Sequence, residues 1–229
     1  MSMSTKLLFL AVFVCVMILM SFNYAKKKKK VVFFGDSITQ AAVQPNGFIT
    51  KIGEYLKRDN EEENYELIGA GVSGNKVYDL YLRMDEDVLG KGPDVVVIYV
   101  GVNDVWHKKS SGTGTDADKF LKFYEAIIRK IQAAGSKIIL CTPAAIGEKT
   151  DHTNELDGDL NKYSQMIRDL ATKHSLLLVD LRKIFLAYNL THNAENKEQG
   201  ILTTDKVHLN PLGNQVVAEE MWKVIQQVK

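Results

Sequence analysis

The sequence predicts a single α/β domain, with a five-stranded parallel sheet that carries helices on both faces. Short apolar runs alternate along the chain with longer segments whose apolar residues recur at helical spacing. The first run, residues 31–34, is apolar throughout, as expected of a strand that is buried on both faces of a parallel sheet. Neither an internal repeat nor a second linker divides the chain, and its 229 residues fit one domain with an N-terminal appendage.

Five apolar runs are predicted as strands, and the one at residues 94–100 is the clearest. They cover residues 31–34, 65–68, 94–100, 137–141 and 176–181. Parallel sheets of this class bind ligands at the carboxyl ends of their strands. Functional residues are therefore expected just after the strands.

Five helices are predicted between and after these strands. They include a segment with Phe48, Ile52 and Leu56 on one face, residues 77–89, an apolar stripe over residues 120–131, residues 157–174, and a last helix after Asn210. In this last helix Asn210 is a favourable N-cap, and Pro211 follows at the first helical position. Residues 103–118 are predicted to form a polar, mobile surface loop, because their centre is rich in serine and glycine.

Composition favours a globular protein and gives no electrostatic reason to expect a nucleic-acid partner. Hydrophobic residues make up 45% of the chain and charged residues 25%, which is usual for globular domains. The net charge is +1, and the chain becomes mildly acidic once one run of lysines, Lys26 to Lys30, is set aside. A nucleic-acid-binding protein would need a basic face, so no such partner is expected.

The N-terminus predicts a targeting segment. Residues 1–25 are interpreted as a signal peptide or an N-terminal membrane anchor, and residues 26–30 as a polylysine linker before a domain at 31–229. The apolar run at residues 7–20 suits a signal peptide, because a membrane span needs about 20 residues. The expected location is exported, periplasmic or extracellular, with membrane anchoring by residues 7–25 as a variant. Basic residues just after an apolar segment favour keeping that side in the cytoplasm, so Lys26 to Lys30 oppose export. A membrane-anchored domain that faces the cytoplasm is therefore a second interpretation. A third is that the apolar run is an ordinary core helix.

A serine follows the first predicted strand in the sequence Gly35-Asp36-Ser37-Ile38. At a strand-to-helix turn its hydroxyl lies above the sheet edge, and the first amides of the helix can stabilise an oxyanion. Taken alone, the same four residues are more often only a turn in which Asp36 or Ser37 caps the next helix.

A second candidate segment, Asp205-Lys206-Val207-His208, precedes the last helix. A carboxylate three residues before a histidine can hold one ring nitrogen and leave the other to accept a serine proton. The alternative is a surface histidine beside an acidic residue. Two further turns, after the second and third strands, contain Gly74 and Asn103, which are candidate oxyanion donors or simply turn residues.

Together, these four segments resemble the SGNH hydrolases, also called GDSL-type esterases and lipases. The four blocks are Gly35-Asp36-Ser37-Ile38, Gly71-Val72-Ser73-Gly74, Gly101-Val102-Asn103-Asp104 and Asp205-Lys206-Val207-His208. Their order and spacing agree over roughly residues 31–228. Isoleucine stands at Ile38 where leucine is usual, and Gly69 stands where the family often has asparagine. The resemblance implies a flavodoxin-like three-layer α/β/α sandwich.

The resemblance also implies a role for each site residue. Ser37 would be the nucleophile, His208 its general base, and Asp205 the group that orients the histidine. The oxyanion hole would be formed by the backbone N–H groups of Ser37 and Gly74 and by the side chain of Asn103. The family uses neither a metal nor an organic cofactor, so none is expected.

The expected function is hydrolysis of carboxylic esters with short acyl or acetyl groups, including esters on carbohydrates, through an acyl-enzyme on Ser37. Transfer of the acyl group to a sugar hydroxyl, hydrolysis of lysophospholipids or thioesters, and a catalytically silent glycan-binding module are the alternatives. The expected partner is a small-molecule or glycan ester, with membrane contact only through the N-terminal segment if it is uncleaved. Trp106 and His107 are candidates to line the site.

Overall fold

The computed structural model describes Thr5 and residues 27–228. Its five strands are β1 (Lys29–Gly35), β2 (Tyr65–Gly71), β3 (Val95–Tyr99), β4 (Lys137–Cys141) and β5 (Leu177–Val179). All neighbouring pairs are parallel, and the strand order is β2-β1-β3-β4-β5. This is the flavodoxin-like order, and the predicted three-layer α/β/α fold is confirmed.

Helices cover both faces of the sheet. They are α1 (Ser37–Ala41), α2 (Phe48–Arg58), α3 (Val77–Asp87), α4 (Val102–Ser110), α5 (Ala117–Ala133), α6 (Asp157–Lys173), α7 (Leu181–His192) and α8 (Pro211–Ile225), with a 3-10 turn at Leu89–Lys91. Helix α2 packs against α8, whereas α5 packs against α3 and α6. Within Thr5 and residues 27–228, no helix has both the length and the apolar character that a membrane crossing requires.

The core lies between the sheet and its two helical layers. All five residues of β3 are buried, which explains why that strand is apolar without alternation. Helix α2 buries Phe48, Ile52 and Leu56, at the spacing that brings residues onto one face of a helix. Full burial of one such side chain stabilises the fold by roughly 1.5–3 kcal/mol.

Two glycines at strand ends allow α1 to lie directly on the edge of the sheet. A Cβ atom on Gly35 would collide with the Tyr99 carbonyl oxygen and with the side chain of Thr39. A Cβ atom on Gly71 would collide with the backbone of α1 at Thr39 and Gln40. Only glycine permits this approach, which brings the first residue of α1, Ser37, close to the carboxyl ends of β1 and β2.

The predicted boundary between linker and domain needs a correction. Strand β1 begins at Lys29, so Lys29 and Lys30 belong to the sheet and not to the polylysine linker assigned to residues 26–30. Lys30 pairs with Glu66 of β2, and its backbone N–H donates to Asp94 Oδ2 at 2.8 Å. The ammonium groups of Lys29 and Lys30 donate to the carbonyls of Val228 and Lys91, at 2.6 and 2.7 Å, while the backbones of both residues complete the ladder. Residues 1–4 and 6–26, which include most of the predicted leader, lie outside the described residues.

Two other local predictions were wrong in part, and one helix was missed. Residues 102–110 form α4, so the predicted loop over residues 103–118 reduces to a short connection before α5. Strand β2 continues through Gly69, Ala70 and Gly71, which were predicted as a turn, because they pair with Phe33, Phe34 and Gly35. Helix α7 has no counterpart in the prediction, although the Asp180 carboxylate caps it by accepting from the Lys183 N–H.

Candidate active site

The predicted site residues lie at the carboxyl-terminal edge of the sheet and in the segment before α8. Ser37 follows β1, Gly74 follows β2 and Asn103 follows β3. These three strands are neighbours in the order β2-β1-β3, so the turns after them are adjacent in space. Asp205 and His208 lie in the segment that connects α7 to α8. The fold therefore brings early and late parts of the chain to one edge.

Ser37 is the first residue of α1, and its side chain contacts the predicted histidine. The Asp36 carboxylate caps this helix by accepting from the Ile38 N–H at 3.0 Å. Ser37 Oγ lies 2.9 Å from His208 Nε2, which is hydrogen-bonding distance. The hydroxyl therefore has a nitrogen in position to take its proton.

Asp205 holds the other side of the histidine ring. Its Oδ2 atom lies 2.7 Å from His208 Nδ1, and its Oδ1 atom accepts from the His208 backbone N–H at 2.7 Å. Val207 also donates to Oδ1, at 3.2 Å. Partial burial of Asp205 favours its neutral form, but the hydrogen bonds from His208 and Val207 outweigh it and hold the pKa of this carboxyl below its usual value. An ionised Asp205 fixes the proton on Nδ1 and leaves Nε2 free to face Ser37.

The two predicted oxyanion donors lie beside one another. The turn after β2 is connected to the end of β1 by a hydrogen bond from the Val72 N–H to the Gly35 carbonyl, at 3.2 Å. Asn103 Nδ2 donates to the carbonyl of Asn75, the residue after Gly74, at 3.0 Å. Gly74 has a φ of +75°, a conformation that side-chain-bearing residues rarely adopt. Gly74, in the turn after β2, and Asn103, in the first turn of α4, therefore lie near one another.

Arg83, a residue that the sequence analysis did not single out, holds the backbone around these donors by hydrogen bonds from its guanidinium. Its Nη2 atom donates to the Gly35 carbonyl at 2.7 Å and to the Ala70 carbonyl at 3.1 Å, and its Nε atom donates to Asn75 Oδ1 at 2.7 Å. One guanidinium therefore connects the last residues of β1 and β2 with the Gly74 turn. In the sequence, the one feature that could have identified Arg83 is its position three residues after Leu80, which places it on the buried side of α3.

Glu148 supports the segment that carries Asp205 and His208, and it was also missed. It lies between β4 and α6 and is 1% exposed. Its Oε1 atom accepts from the backbone N–H groups of Leu202 and Thr203, at 2.6 and 3.0 Å, and its Oε2 atom accepts from the Ile201 N–H at 2.9 Å. Because it lies in an irregular segment, no periodicity in the sequence marks it as buried.

The segment between Asp205 and His208 contains a strained residue. Lys206 has a φ of +80°, which is uncommon for a residue with a side chain. Its carbonyl accepts from the Gly147 N–H at 2.9 Å, next to Glu148, and its ammonium pairs with Glu198 at 2.7 Å. These contacts hold the turn in the conformation that directs Asp205 at the histidine.

Two buried carboxyl groups are sequence neighbours of site residues: Asp36 precedes Ser37, and Asp104 follows Asn103. Asp36 is 1% exposed, and burial raises its pKa from 3.8 to about 7, despite the hydrogen bond from the Ile38 N–H. Asp104 is fully buried, and burial raises its pKa to about 6, although its carboxylate accepts from the Val77 N–H at 3.2 Å. Desolvation disfavours the charged form of both groups. Their titration therefore occurs near neutral pH.

The raised pKa of Asp36 predicts a pH-dependent stability that Asp36→Asn removes. Folded Asp36 keeps a proton up to about pH 7 that the unfolded chain releases near pH 4. Its contribution is therefore complete below pH 4 and is lost as the pH rises through 7. We expect the free energy of unfolding of Asp36→Asn, relative to that of the wild type, to increase from pH 4 to pH 8 in urea titrations. Asp118→Asn, at an exposed position, is the control, and a relative stability of Asp36→Asn that stays constant with pH contradicts the assignment.

The two residues suggested to line the site have different surroundings. Trp106 is half-buried on α4 and borders a cavity that Lys206 also borders. His107 is half-buried, and its burial, together with the charge of Lys76, lowers its pKa. Within the part of the chain that the structure describes, no group of three or more His, Cys, Asp or Glu side chains is arranged to hold a metal ion.

These features correspond to those of a known class of ester-hydrolysing enzymes. The GDSL-like lipase/acylhydrolase family matches residues 33–216, and the chain belongs to this family. The resemblance inferred from the four motifs is confirmed, and the protein is a carboxylic ester hydrolase of the GDSL type.

Similar proteins include several acetylxylan esterases. The crystal structure of the acetyl xylan esterase AlAXEase is 64% identical, covers 86% of this chain and 99% of its own, and superposes with a TM-score of 0.85. An acetylxylan esterase of Geobacillus stearothermophilus is 26% identical over 86% of this chain and 94% of its own length. LAE5, an alpha/beta hydrolase enzyme from the metagenome of Lake Arreo in Spain, is 26% identical, covers 88% of this chain and 96% of its own, and has a TM-score of 0.77.

Proposed function

We propose that this protein removes acetyl groups from acetylated xylan or xylo-oligosaccharides, through an acetyl-enzyme on Ser37. One observation carries the mechanism, namely the continuous hydrogen-bonded chain from Ser37 Oγ through the ring of His208 to Asp205. Serine is a weak nucleophile by itself and needs an adjacent base that a third group orients. The identity of 64% to an acetyl xylan esterase supports the choice of substrate class.

In the first half of the proposed reaction, Ser37 Oγ attacks the carbonyl carbon of the acetyl ester while His208 Nε2 takes the hydroxyl proton. The tetrahedral intermediate then collapses, and His208 returns the proton to the departing sugar oxygen. The products of this half are a free sugar hydroxyl and an acetyl ester on Ser37. Asp205 stays ionised throughout and stabilises the imidazolium that forms.

In the second half, water attacks the acetyl-enzyme with His208 again acting as the base. Collapse of this second intermediate releases acetate and restores the Ser37 hydroxyl, with the proton returned by His208. Three donors are proposed to stabilise the oxyanion: the N–H groups of Ser37 and Gly74, and Asn103 Nδ2. Asn103 Nδ2 carries two hydrogens, of which the Asn75 carbonyl takes one, so the second remains for the oxyanion. A donor of this type contributes about 10²–10³ to turnover.

A panel of esters tests this proposal on the full-length protein. We expect hydrolysis of acetylated xylo-oligosaccharides and of p-nitrophenyl acetate, with kcat/KM falling as the acyl chain of the p-nitrophenyl ester lengthens from acetate to octanoate. Transfer is tested in the same assays by adding unacetylated xylotriose and measuring how much acetyl group it receives. A preference for octanoate, for lysophospholipid or for a thioester would contradict the proposed substrate. Faster transfer to xylotriose than to water would instead define a transferase.

A further inference from the structure

A cavity of about 390 Å³ lies beside the candidate active site, and the reaction proposed above makes no use of it. Its apolar wall consists of Trp106, Ile146 and Leu156, and its volume is in the range of small-molecule sites. We name it the Trp106 pocket, after its one aromatic residue.

The Trp106 pocket is connected to the catalytic groups on two sides. Trp106 follows Asn103 by three residues on α4, so the two side chains lie on the same side of the helix, one turn apart. Lys206, which also lines the pocket, lies between Asp205 and His208 in the sequence. A substrate with its ester at Ser37 therefore has this pocket beside it, next to the oxyanion donor Asn103 and the base.

The charged residues at the rim of the pocket neutralise one another. Lys109 forms an ion pair with Glu155, and Lys206 forms one with Glu198 at 2.7 Å. The hydrogen bond from Lys206 lowers the pKa of Glu198, which keeps this pair ionised. Two cations and two anions leave no net charge, so the rim has no preference for an anionic or cationic ligand.

The same rim suits a ligand with many hydroxyl groups. An ammonium has three hydrogens and a carboxylate has two acceptor oxygens, so each one-to-one ion pair leaves donors and acceptors for hydroxyls. The apolar lining includes the indole ring of Trp106, and the C–H face of a pyranose packs well on such a ring. An uncharged sugar matches all three properties: neutral rim, free hydrogen-bonding groups and an aromatic surface.

We propose that the Trp106 pocket binds the unacetylated sugar units that adjoin the acetylated unit of a xylo-oligosaccharide. This inference rests on the proposed function and deepens it, because it explains how the enzyme favours an oligosaccharide over a small acetate ester. Trp106 is the specificity-determining residue, and the rim pairs position the hydroxyls. An acyl chain is the competing occupant, and the paired charges that line the pocket disfavour it.

Binding without chemistry gives the first test. Unacetylated xylotetraose lacks an ester, so its binding to the full-length protein is measured by calorimetry and by tryptophan fluorescence. The chain has two tryptophans, and the other one, Trp222, is buried against Tyr65. We expect saturable binding with a change in emission, and a loss of affinity of at least about tenfold in Trp106→Ala. The absence of calorimetric binding, or unchanged affinity in Trp106→Ala, would overturn the proposal.

A comparison of substrates gives the second test and separates this proposal from the proposed function. For Trp106→Ala, the ratio of kcat/KM on acetylated xylotetraose to kcat/KM on p-nitrophenyl acetate is expected to fall about tenfold, and for Trp106→Phe by less. Leu190→Ala, at an exposed position of α7, should leave both values as in the wild type. An equal loss on both substrates, or a selective loss on p-nitrophenyl octanoate, contradicts a sugar site. A wild type inactive on acetylated xylotetraose contradicts the proposed function instead.

Discussion

Replacing Ser37 by alanine is expected to reduce hydrolysis of p-nitrophenyl acetate by about 10⁴–10⁶-fold. The change removes the oxygen that lies 2.9 Å from His208 Nε2, and with it the atom that would carry the acetyl group. Nucleophile and base act as a unit, so the remaining oxyanion donors can supply only the residual acceleration. The fold should persist, because alanine keeps the backbone of α1 and the Asp36 cap on the Ile38 N–H.

The measurements are the steady-state rate, labelling by a fluorophosphonate probe, and thermal unfolding. The Ser37→Ala variant should fail to take the label and should unfold near the wild-type temperature. Ser111→Ala removes an exposed serine after α4 and is the matched control, expected to keep both labelling and turnover. Labelling of Ser37→Ala at the wild-type rate would assign the nucleophile elsewhere.

Replacing Glu148 by alanine is expected to lower the free energy of unfolding by about 3–5 kcal/mol and to reduce activity with it. The carboxylate accepts three backbone N–H groups, two of them from the fully buried residues Leu202 and Thr203. Alanine leaves these donors without an acceptor, and each unsatisfied buried donor costs about 1–3 kcal/mol. The same segment leads directly to Asp205 and His208, so its loosening misplaces the base.

Urea unfolding and kcat/KM together check this second expectation. Glu148→Gln keeps one acceptor oxygen, which can serve the N–H groups of Leu202 and Thr203, so it should lose less stability than Glu148→Ala. Glu54→Ala, at an exposed position of α2, is the control for removal of a solvated carboxylate and should stay within about 0.5 kcal/mol of the wild type. A loss below about 1 kcal/mol in Glu148→Ala would mean that other groups satisfy these donors.

The regular parts of the fold were predictable because their burial leaves a periodic pattern. β3 is apolar throughout and α2 buries every third or fourth residue, and both were located correctly. Helix α4 was mistaken for a loop because its buried residues, Val102 to Val105, occupy only its first turn before a polar end. Strand β2 was ended too early because Gly69 and Gly71 are typical of turns, whereas here they let α1 and its connection approach the sheet.

The residues proposed to react leave a stronger sequence signal than the residues that position them. Ser37, Asp205 and His208 occur in short segments that, taken together with the other two blocks, resemble a known family, and the structure brings them within hydrogen-bonding distance. Arg83 and Glu148 act on backbone carbonyls and N–H groups, which have no residue-type signature in the sequence. Such partners become recognisable only after the chain has folded, because any residue type can supply the backbone group.

The packing of α2 against α8 has a consequence for when the protein becomes reactive. Ser37 and His208 are 171 positions apart in the sequence. Helices α2 and α8, which follow these two residues, are joined by a hydrogen bond from the Phe48 N–H to Asn214 Oδ1, at 3.0 Å. During synthesis all five strands leave the ribosome before His208 does, because the chain emerges from its N-terminus. We expect that, until α8 docks on α2, Ser37 lacks the base proposed for it and behaves as an ordinary hydroxyl. On the proposed mechanism, the order of the sequence therefore keeps the nascent chain from being acylated before it has folded.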